Sequence, residues 1–171
     1  MAINSTSSSG SAFNVDGIVS GLKTADIIAK LMSMSQAPLN QLKAQHVPID
    51  GVGFQGHLGI QYPYPDTLGD NLKRFAALGV DVALTEVDVR MILPVTAGKL
   101  ATQADQFKSM LNSCQAVRRC VSYTVWGFDD LHSWVPGVFA GEGAATPFDE
   151  NYRPKPAYFA LRDALVRHRH W

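Results

Sequence analysis

Residues 84–90 read LTEVDVR, an apolar run that passes into acidic and basic side chains. The segments GVGFQGH at residues 51–57 and YTVWGFDDLHSW at residues 123–134 have the same form. A stretch long enough for a helix separates each segment from the next. This alternation is typical of parallel strands in a (β/α) barrel, where the chemistry lies at the strand ends. We therefore predict an α/β fold in which the polar ends of all three segments lie at one edge of a sheet.

Size and charge exclude several classes of protein. The chain has 171 residues, which suggests one domain, and 46% of them are hydrophobic, which is enough for a buried core. Lysine and arginine together number 15, as do aspartate and glutamate, so we expect neither a nucleic-acid partner nor an anionic membrane surface. No apolar run approaches the length of about 18 residues that a membrane span needs. Residues 2–12 are rich in serine and uncharged, unlike a secretory signal peptide.

The apolar patterns predict three strands and three helices from residue 47 onward. The strands are expected at 51–55, 80–85 and 120–126, and the second is a nearly continuous apolar run, as a strand buried on both faces requires. Thr67 would start the first helix as part of a capping box and Gly79 would close it, Thr102 would start the second and Pro156 the third. The predicted inward faces carry Leu72, Phe75, Ala76 and Leu78; Phe107, Met110, Leu111 and Cys114; and Tyr158, Leu161 and Leu165.

Two cysteines, Cys114 and Cys120, lie six positions apart. This spacing does not fit a zinc site, because no second pair of Cys or His lies at a finger-like distance. From the residues alone, two free buried thiols are the simpler interpretation. The run RHRHW at residues 167–171 places two histidines at a spacing that seldom converges on a metal, whereas cations suit the end of a helix. We expect no metal site and no cofactor.

Together, the three quoted segments resemble the last three strands of glycoside hydrolase family 10, the retaining endo-β-1,4-xylanases. The resemblance extends from about residue 47 to residue 165. It implies that residues 46–171 form a C-terminal fragment of a (β/α)8 TIM barrel, comprising its last three βα units, and that the substrate is xylan or a xylo-oligosaccharide. The segment CQAVRRC is similar to a short disulfide loop of many family members. It implies a Cys114–Cys120 disulfide, an oxidising compartment and an extracellular location.

The same resemblance implies catalytic roles for three residues. Retaining glycosidases need a carboxylate nucleophile and a second carboxyl that acts as acid and base. The Thr-Glu-Val-Asp pattern of the family makes Glu86 the nucleophile. Asp88 lies two positions on, on the same face of an extended strand, and His57 can reach both carboxylates from the neighbouring strand. Without the family pattern, a strand-end carboxylate in a surface ion pair is the simpler interpretation of Glu86.

Three further residues are predicted to bind the sugar chain. Gln55 can form hydrogen bonds with hydroxyl groups at the same edge of the sheet. Trp126 and Trp134 offer flat apolar faces that suit a xylose ring, although either could instead be a core aromatic. Arg90 and Asp130 either orient these groups or serve only the fold.

The second catalytic carboxyl of the family belongs to a Trp-x-Val-x-Asn-Glu segment, and the sequence contains no Asn-Glu pair. The remaining glutamates, Glu142 and Glu150, follow the third predicted strand, and we expect no strand to position them. Loss of general-acid help typically costs about 10²–10⁴-fold in rate. We therefore expect a xylanase that is inactive or impaired on its own.

Residues 1–45 have a different character, beginning with a stretch rich in serine and glycine and continuing as an amphipathic helix that Thr24 could cap. Residues 12–45 are similar to the start of flagellar hook-associated protein 2, the filament cap. This resemblance implies a helical segment that passes through the flagellar export channel, and a junction near residues 42–50 would make the chain a chimera. The competing function is a flagellar cap-like structural or export module joined to a non-catalytic barrel fragment.

The number of predicted strands suggests a third possibility. Three parallel strands leave two open sheet edges and exposed apolar faces. We therefore expect either self-association or pairing with a complementing half-barrel.

Overall fold

The computed structural model of the protein describes residues 35–167. Strands and helices alternate as far as the third strand, after which a long connection carries one short helix and one short strand. No helix in this part of the chain is long and apolar enough to cross a membrane. The elements are α1 (Ala37–Ala44), β1 (Gly51–Gly59), α2 (Leu68–Ala76), β2 (Asp81–Ile92), α3 (Ala97–Gln115), β3 (Cys120–Val125), α4 (Val135–Val138), β4 (Glu142–Gly143) and α5 (Pro156–Arg167).

The strand β2 is the centre of the sheet. It pairs in parallel with β1 on one side and with β3 on the other. A crossover helix, α2 or α3, connects each pair, as parallel strands require. The end of β2 also pairs antiparallel with β4, through Met91 with Gly143 and Ile92 with Glu142. The predicted α/β class with a parallel sheet is confirmed.

The hydrophobic core joins the sheet to α2 and α3. Its buried side chains include Phe54 and Leu58 of β1, Val82, Leu84, Val87 and Val89 of β2, Leu68, Leu72 and Phe75 of α2, and Phe107, Met110 and Cys114 of α3. Leu111 is also buried, and Ala76 and Leu78 pack partly buried against the core, so the predicted inward faces of the first two helices are confirmed. Burying one such large side chain contributes about 1.5–3 kcal/mol relative to exposure.

Two strands continue beyond the apolar runs that predicted them. β1 ends at Gly59 and β2 ends at Ile92, whereas the predicted ends were residues 55 and 85. The strands continue because their polar side chains have partners inside the protein: Asp88 and Arg90 of β2 are both 1% exposed. Glu86 therefore lies within its strand, and the prediction that it ends the strand is wrong.

One predicted helix start is wrong, and a second is right in position but lacks the predicted capping box. α3 begins directly after Thr96, whose hydroxyl oxygen accepts a hydrogen bond from the backbone N–H of Lys99 at 3.3 Å, and Thr102 lies inside this helix. Thr67 precedes α2, but its backbone is already helical and its side chain forms no capping hydrogen bond. Gly79 follows α2 with a φ of +80°, the left-handed conformation that its predicted role in closing the helix requires.

The last helix begins at Pro156, as predicted, and Leu161 packs partly buried against the core, also as predicted, but the fully buried residues differ from the predicted ones. Ala157 and Ala164 are buried, whereas Leu165 is 48% exposed. The prediction that Leu165 faces inward is therefore wrong. α5 packs closely along α3, and close approach of two helices favours small side chains such as alanine at the contact.

Only the last part of the predicted N-terminal helix falls within the described residues. Pro38 lies in the first turn of α1, where its missing N–H costs no helical hydrogen bond. Leu39 is buried in the core, and Lys43 Nζ donates to the carbonyl of Leu78 at 2.6 Å. Helix α1 therefore contacts the connection after α2 through Lys43. Thr24 and residues 168–171 lie outside the described residues.

Cys114 and Cys120 form a disulfide, as the family resemblance implied. The bond joins the end of α3 to the start of β3, with the two Cα atoms 5.3 Å apart. The alternative of two free thiols is therefore wrong, although both cysteines are buried, as that alternative assumed.

Candidate active site

A β-bulge in β2 shapes the polar edge that β2 shares with β1. Gln55 pairs with Thr85, whereas His57 pairs with Asp88, so β2 uses one residue more than β1 between these pairs. Glu86 lies in this interval with a φ of +55°, which is uncommon for any residue other than glycine. Paired residues of parallel strands share a face of the sheet, and Glu86 contacts the same face through both Gln55 and His57. The bulge therefore adds a carboxylate to this face.

His57 lies between two carboxylates. Its Nδ1 atom is 2.9 Å from Oδ2 of Asp88, and its Nε2 atom is 3.2 Å from Oε2 of Glu86. The side chain of Asp88 is 1% exposed, whereas that of Glu86 is 27% exposed. The structure thus brings together the three residues that were predicted to be catalytic, and Glu86 is the carboxylate that a ligand can reach.

Gln55 and Trp134 provide further hydrogen bonds in this cluster. Gln55 Nε2 donates to Oε1 of Glu86 at 3.2 Å, so each carboxylate oxygen of Glu86 has one neighbour from β1. Trp134 Nε1 donates to Oδ2 of Asp88 at 2.7 Å, and its ring lies 4.9 Å from the imidazole of His57. Two side chains therefore hold each carboxylate in place.

The charges around His57 favour its protonated form. Burial removes water from the ring and by itself lowers the pKa of His57. Hydrogen bonds to Asp88 and Glu86, together with the attraction of both negative charges, outweigh burial, so the pKa of His57 is raised above its ordinary value. A protonated His57 donates to both carboxylates at once and compensates one of their two charges.

The two tryptophans that were predicted to bind sugar have different surroundings. Trp126 follows β3, and its backbone N–H donates to the carbonyl of Val87 at 2.9 Å, beside the bulge. Its side chain is 47% exposed. Trp134 is half-buried between His57 and Phe139, with its indole N–H directed at Asp88. Neither tryptophan is an ordinary core aromatic.

Sequence reasoning did not find how Glu142 is positioned. Glu142 belongs to β4, and its Oε2 atom forms an ion pair with Nε of Arg90 at 2.7 Å. The expectation that no strand positions Glu142 is therefore wrong. A strand of two residues is too short to leave an alternation of polar and apolar residues, so the sequence carries no signal for it. The sequence allows two roles for Arg90, one in the fold and one in orienting the site. Its ion pair with Glu142 is consistent with both roles.

Asp130 belongs to a second charged cluster. Lys155 Nζ lies 2.8 Å from Oδ2 of Asp130, and Thr146 Oγ1 donates to Oδ1 of Asp130 at 2.8 Å. Lys155 and Asp130 are 7% and 9% exposed, respectively. Burial lowers the pKa of Lys155 although the charge of Asp130 opposes this shift. The pairing favours the alternative in which Asp130 serves the fold. No pattern in the sequence points to Lys155 as its partner.

No metal centre is formed by the residues that the structure describes. Between residues 35 and 167, no group of three or more His, Cys, Asp or Glu side chains is placed to hold a metal ion. Both ring nitrogens of His57 face carboxylates, which leaves neither free to act as a ligand.

Most of the chain matches one protein family. Residues 23–164 match the model of glycosyl hydrolase family 10. The chain belongs to that family. An endo-1,4-beta-xylanase of Agaricus bisporus is 48% identical over 151 residues, which make up 88% of this chain and 42% of that protein.

Solved structures agree with the membership in glycosyl hydrolase family 10. Xylanase 10B from Thermotoga petrophila, solved in complex with xylobiose, matches 80% of this chain and 44% of its own with a TM-score of 0.75 at 36% identity. A glycosylated family 10 endo-beta-1,4-xylanase from Gloeophyllum trabeum matches 76% of this chain and 41% of its own with a TM-score of 0.72 at 42% identity. The three parallel strands therefore form part of a family 10 barrel.

The chain spans less than half the length of the curated relatives that it matches. The matched share is 42% of the Agaricus bisporus protein, and 28% and 30% of two xylanases from Phanerodontia chrysosporium. The match to the glycosyl hydrolase family 10 model begins at residue 23, within the segment 12–45 that was predicted to be similar to the flagellar cap protein, and the comparisons do not show that similarity. The division of the chain at residue 45 stays a prediction.

Proposed function

We propose that this family 10 chain carries the nucleophile side of a retaining endo-1,4-β-xylanase site, with Glu86 as the nucleophile and xylan or xylo-oligosaccharides as the substrate. The observation that carries the proposal is the cluster of Glu86, His57 and Asp88 at the bulge of β2. Relatives named as endo-1,4-beta-xylanases, at 48% and 49% identity, support the substrate class. A fixed, partly exposed carboxylate is the group that a retaining mechanism needs.

In this proposal, Glu86 attacks the anomeric carbon of a xylose unit. Gln55 contacts one of its carboxylate oxygens and His57 the other, which fixes the plane of the carboxylate. The attack forms an ester between Glu86 and the sugar as the glycosidic bond breaks, and water then hydrolyses that ester. His57, itself held by Asp88, hydrogen-bonds Glu86 before the attack and stabilises the carboxylate that is released afterwards.

The general acid is not among the described glutamates in this proposal. Glu142 is engaged by Arg90 and by Gln61, whose Nε2 donates to it at 2.9 Å. Glu150 is exposed and accepts a hydrogen bond from Asn151. A sugar bound at Glu86 would therefore receive no proton from either carboxyl. We expect slow cleavage of unactivated xylan unless a complementing half-barrel, or a second copy of the chain, supplies an acid.

The surroundings of the cluster favour a pyranose ring as ligand. Trp126 offers an exposed aromatic face at the end of β3, and Trp134 covers His57 from the adjacent connection. Aromatic faces and a few convergent polar groups are the usual composition of a small-ligand site. The Cys114–Cys120 disulfide supports an extracellular location, because disulfides persist in oxidising compartments.

The test is covalent labelling of Glu86. The probe is an aryl xylobioside with a good leaving group and fluorine at C2 of the sugar that reacts, because such a leaving group departs without an acid. We expect intact-protein mass spectrometry to show one added xylobiosyl unit, and peptide mapping to locate it on Glu86. The Glu86→Gln variant should take up no label, whereas Glu150→Gln should label like the wild-type protein.

Absence of labelling would overturn the proposal, and so would either of two other results. Labelling that maps to another residue, or that persists in Glu86→Gln, would remove Glu86 from the nucleophile role. Rapid cleavage of unactivated xylan by the purified monomer would show that the chain already contains its acid.

The flagellar alternative concerns residues 1–45, of which the structure describes only residues 35–45, so it stays a prediction. It proposes that residues 1–45 direct export, and fusion of this segment to a reporter protein tests it. Appearance of the reporter in the medium of a flagellated host, dependent on the flagellar export apparatus, would support the alternative. Retention of the reporter in the cell would contradict it.

A further inference from the structure

A buried ion pair lies next to the proposed site. Arg90 of β2 is 1% exposed, and its Nε atom lies 2.7 Å from Oε2 of Glu142 in β4. Nη1 of Arg90 also donates to the carbonyl of Leu58 at 3.3 Å, and Gln61 donates to the same oxygen of Glu142 at 2.9 Å. A buried arginine without a counter-charge is strongly destabilising, so Arg90 holds Glu142 firmly in this position.

A line of side chains connects this ion pair to the Glu86 cluster. The guanidinium carbon of Arg90 lies 4.1 Å from the centroid of the Phe139 ring. The edge of Phe139 meets Trp134, with ring centroids 5.6 Å apart. Trp134 in turn donates to Asp88 and lies against His57. Each step is a direct contact, and the line ends at His57, which contacts Glu86, and at Asp88, which holds His57.

The connection after β3 is attached to the sheet at two places in this region. Near its middle, Trp134 donates a hydrogen bond to Asp88 of β2. Eight residues later, Glu142 of β4 forms an ion pair with Arg90 of β2. The backbone N–H of Leu93 also donates to the carbonyl of Gly141 at 2.9 Å. The position of Trp134 over His57 therefore depends on where β4 fixes the segment 134–142.

We propose that the ion pair of Arg90 and Glu142, with Phe139 between it and Trp134, is a positioning device for the proposed reaction. This clamp holds segment 134–142 so that the indole N–H of Trp134 fixes Asp88, which in turn fixes His57 against Glu86. Arg90 and Glu142 thus act on the nucleophile through other residues and do not touch the sugar. The inference rests on the proposed function only for its effect on Glu86, because the placement of Trp134 can be measured separately.

The experiment compares three variants of the full chain. Glu142→Ala removes the partner of Arg90, and Phe139→Ala removes the middle contact while leaving the ion pair intact. Glu150→Ala is the matched control, since it truncates an exposed glutamate of the same connection whose carboxylate accepts a hydrogen bond from its neighbour Asn151. Phe139→Ala keeps the test decisive if Glu142→Ala fails to fold, because it leaves no buried charge unpaired.

Two quantities are measured for each variant. The first is the resonance of the Trp134 indole N–H in the ¹⁵N spectrum and its rate of exchange with water, with the resonance identified by its loss in Trp134→Phe. The second is the rate at which Glu86 is labelled by the activated fluoro-xylobioside. Displacement of about 1 Å in a catalytic geometry can cost about 10²-fold in rate.

Both Glu142→Ala and Phe139→Ala should move the Trp134 indole resonance and speed its exchange about tenfold or more, and slow labelling of Glu86 by about 10- to 100-fold. Glu150→Ala should leave both quantities at the wild-type level. An unchanged indole resonance and exchange rate in the two folded variants would overturn the clamp, while labelling of wild-type Glu86 would still support the proposed function. Absence of wild-type labelling would instead overturn the proposed function, and the indole signal would still test the clamp.

Discussion

Two charged clusters lie near the C-terminal ends of the parallel strands, and they differ in charge balance. In one, two carboxylates, Glu86 and Asp88, share the single imidazole of His57. In the other, the carboxylate of Asp130 faces one lysine, Lys155. The first cluster is partly open, with 27% of the Glu86 side chain exposed, whereas the side chains of Lys155 and Asp130 are only 7% and 9% exposed.

The difference separates reactivity from stability. A matched and buried pair satisfies its own charges, and neither member is free to bind or attack a ligand. In the other cluster, one imidazole faces two carboxylates, so one negative charge is left without a partner. Solvent and ligands can reach the carboxylate oxygens of Glu86, the more exposed of the two acids. We therefore expect mutations of the Asp130 cluster to affect unfolding and mutations of the Glu86 cluster to affect labelling.

The largest expected effect comes from removing one half of the matched pair. Lys155→Met should lower the free energy of unfolding by about 3–5 kcal/mol, because it leaves Asp130 buried and charged without its partner. Urea denaturation followed by circular dichroism measures this loss. The double variant Lys155→Met/Asp130→Leu removes both charges and should recover most of the stability. A loss below about 1 kcal/mol in the single variant would mean that the pair behaves like an exposed one.

The disulfide offers a second way to change stability without touching the Glu86 cluster, because it lies at the start of β3. Replacing both Cys114 and Cys120 with serine should lower the free energy of unfolding by about 2–3 kcal/mol, the range expected for so short a loop. The labelling rate of Glu86, measured on folded protein, should not change. A slower labelling of Glu86 in this variant would contradict the view that the Glu86 cluster sets reactivity independently of stability. Alkylation of the unreduced wild-type protein should modify neither cysteine.

How far the sequence predicted the fold depended on the length of each pattern. The apolar runs predict all three parallel strands correctly, because the buried Val and Leu of a core strand form a run of several residues in the sequence. The strand ends were wrong, since polar Asp88 and Arg90 continue β2 with partners that no local pattern reveals. The sequence predicts a helix start at Thr102, whereas Thr96 provides the hydrogen bond that caps α3.

The candidate site was predictable in part for a different reason. Gln55, His57, Glu86 and Asp88 were grouped by family resemblance, and their closeness follows from parallel pairing of β1 with β2. The link from Trp134 through Phe139 to Glu142 was not predictable. It depends on contacts within a connection that has almost no regular structure, and such contacts have no periodicity in the sequence.

A smaller effect on stability is expected from the titration of His57 in the Glu86 cluster. The pKa of His57 is raised in the folded protein, so protonation of His57 stabilises the fold. This contribution is fully present below the unfolded-state pKa of about 6.5, and it is lost as the pH rises through the higher pKa of the folded state. The urea midpoint of the wild-type protein should therefore fall relative to that of His57→Gln over this range. Parallel curves for the two proteins would contradict the raised pKa.

The smallest effect is expected where an ion pair faces water. Lys73 and Asp70 form a pair in α2 at 3.3 Å, with side chains 59% and 78% exposed. Asp70→Asn should change the free energy of unfolding by no more than about 0.5 kcal/mol, because solvent and salt screen the charges. The same urea assay measures it, preferably at two salt concentrations. A loss similar to that of Lys155→Met would show that burial does not set the difference between pairs.

The bulge at Glu86 has a consequence for how the protein can change by mutation. The helix-facing side chains of β2 are Val82, Leu84, Val87 and Val89, so their even spacing is interrupted at one point. Deletion of a single codon, that of Glu86, would restore an unbroken alternation and remove a backbone conformation that costs about 1–3 kcal/mol. Selection for thermal tolerance alone would thus tend to discard this codon. Only selection that also requires the carboxylate would keep it.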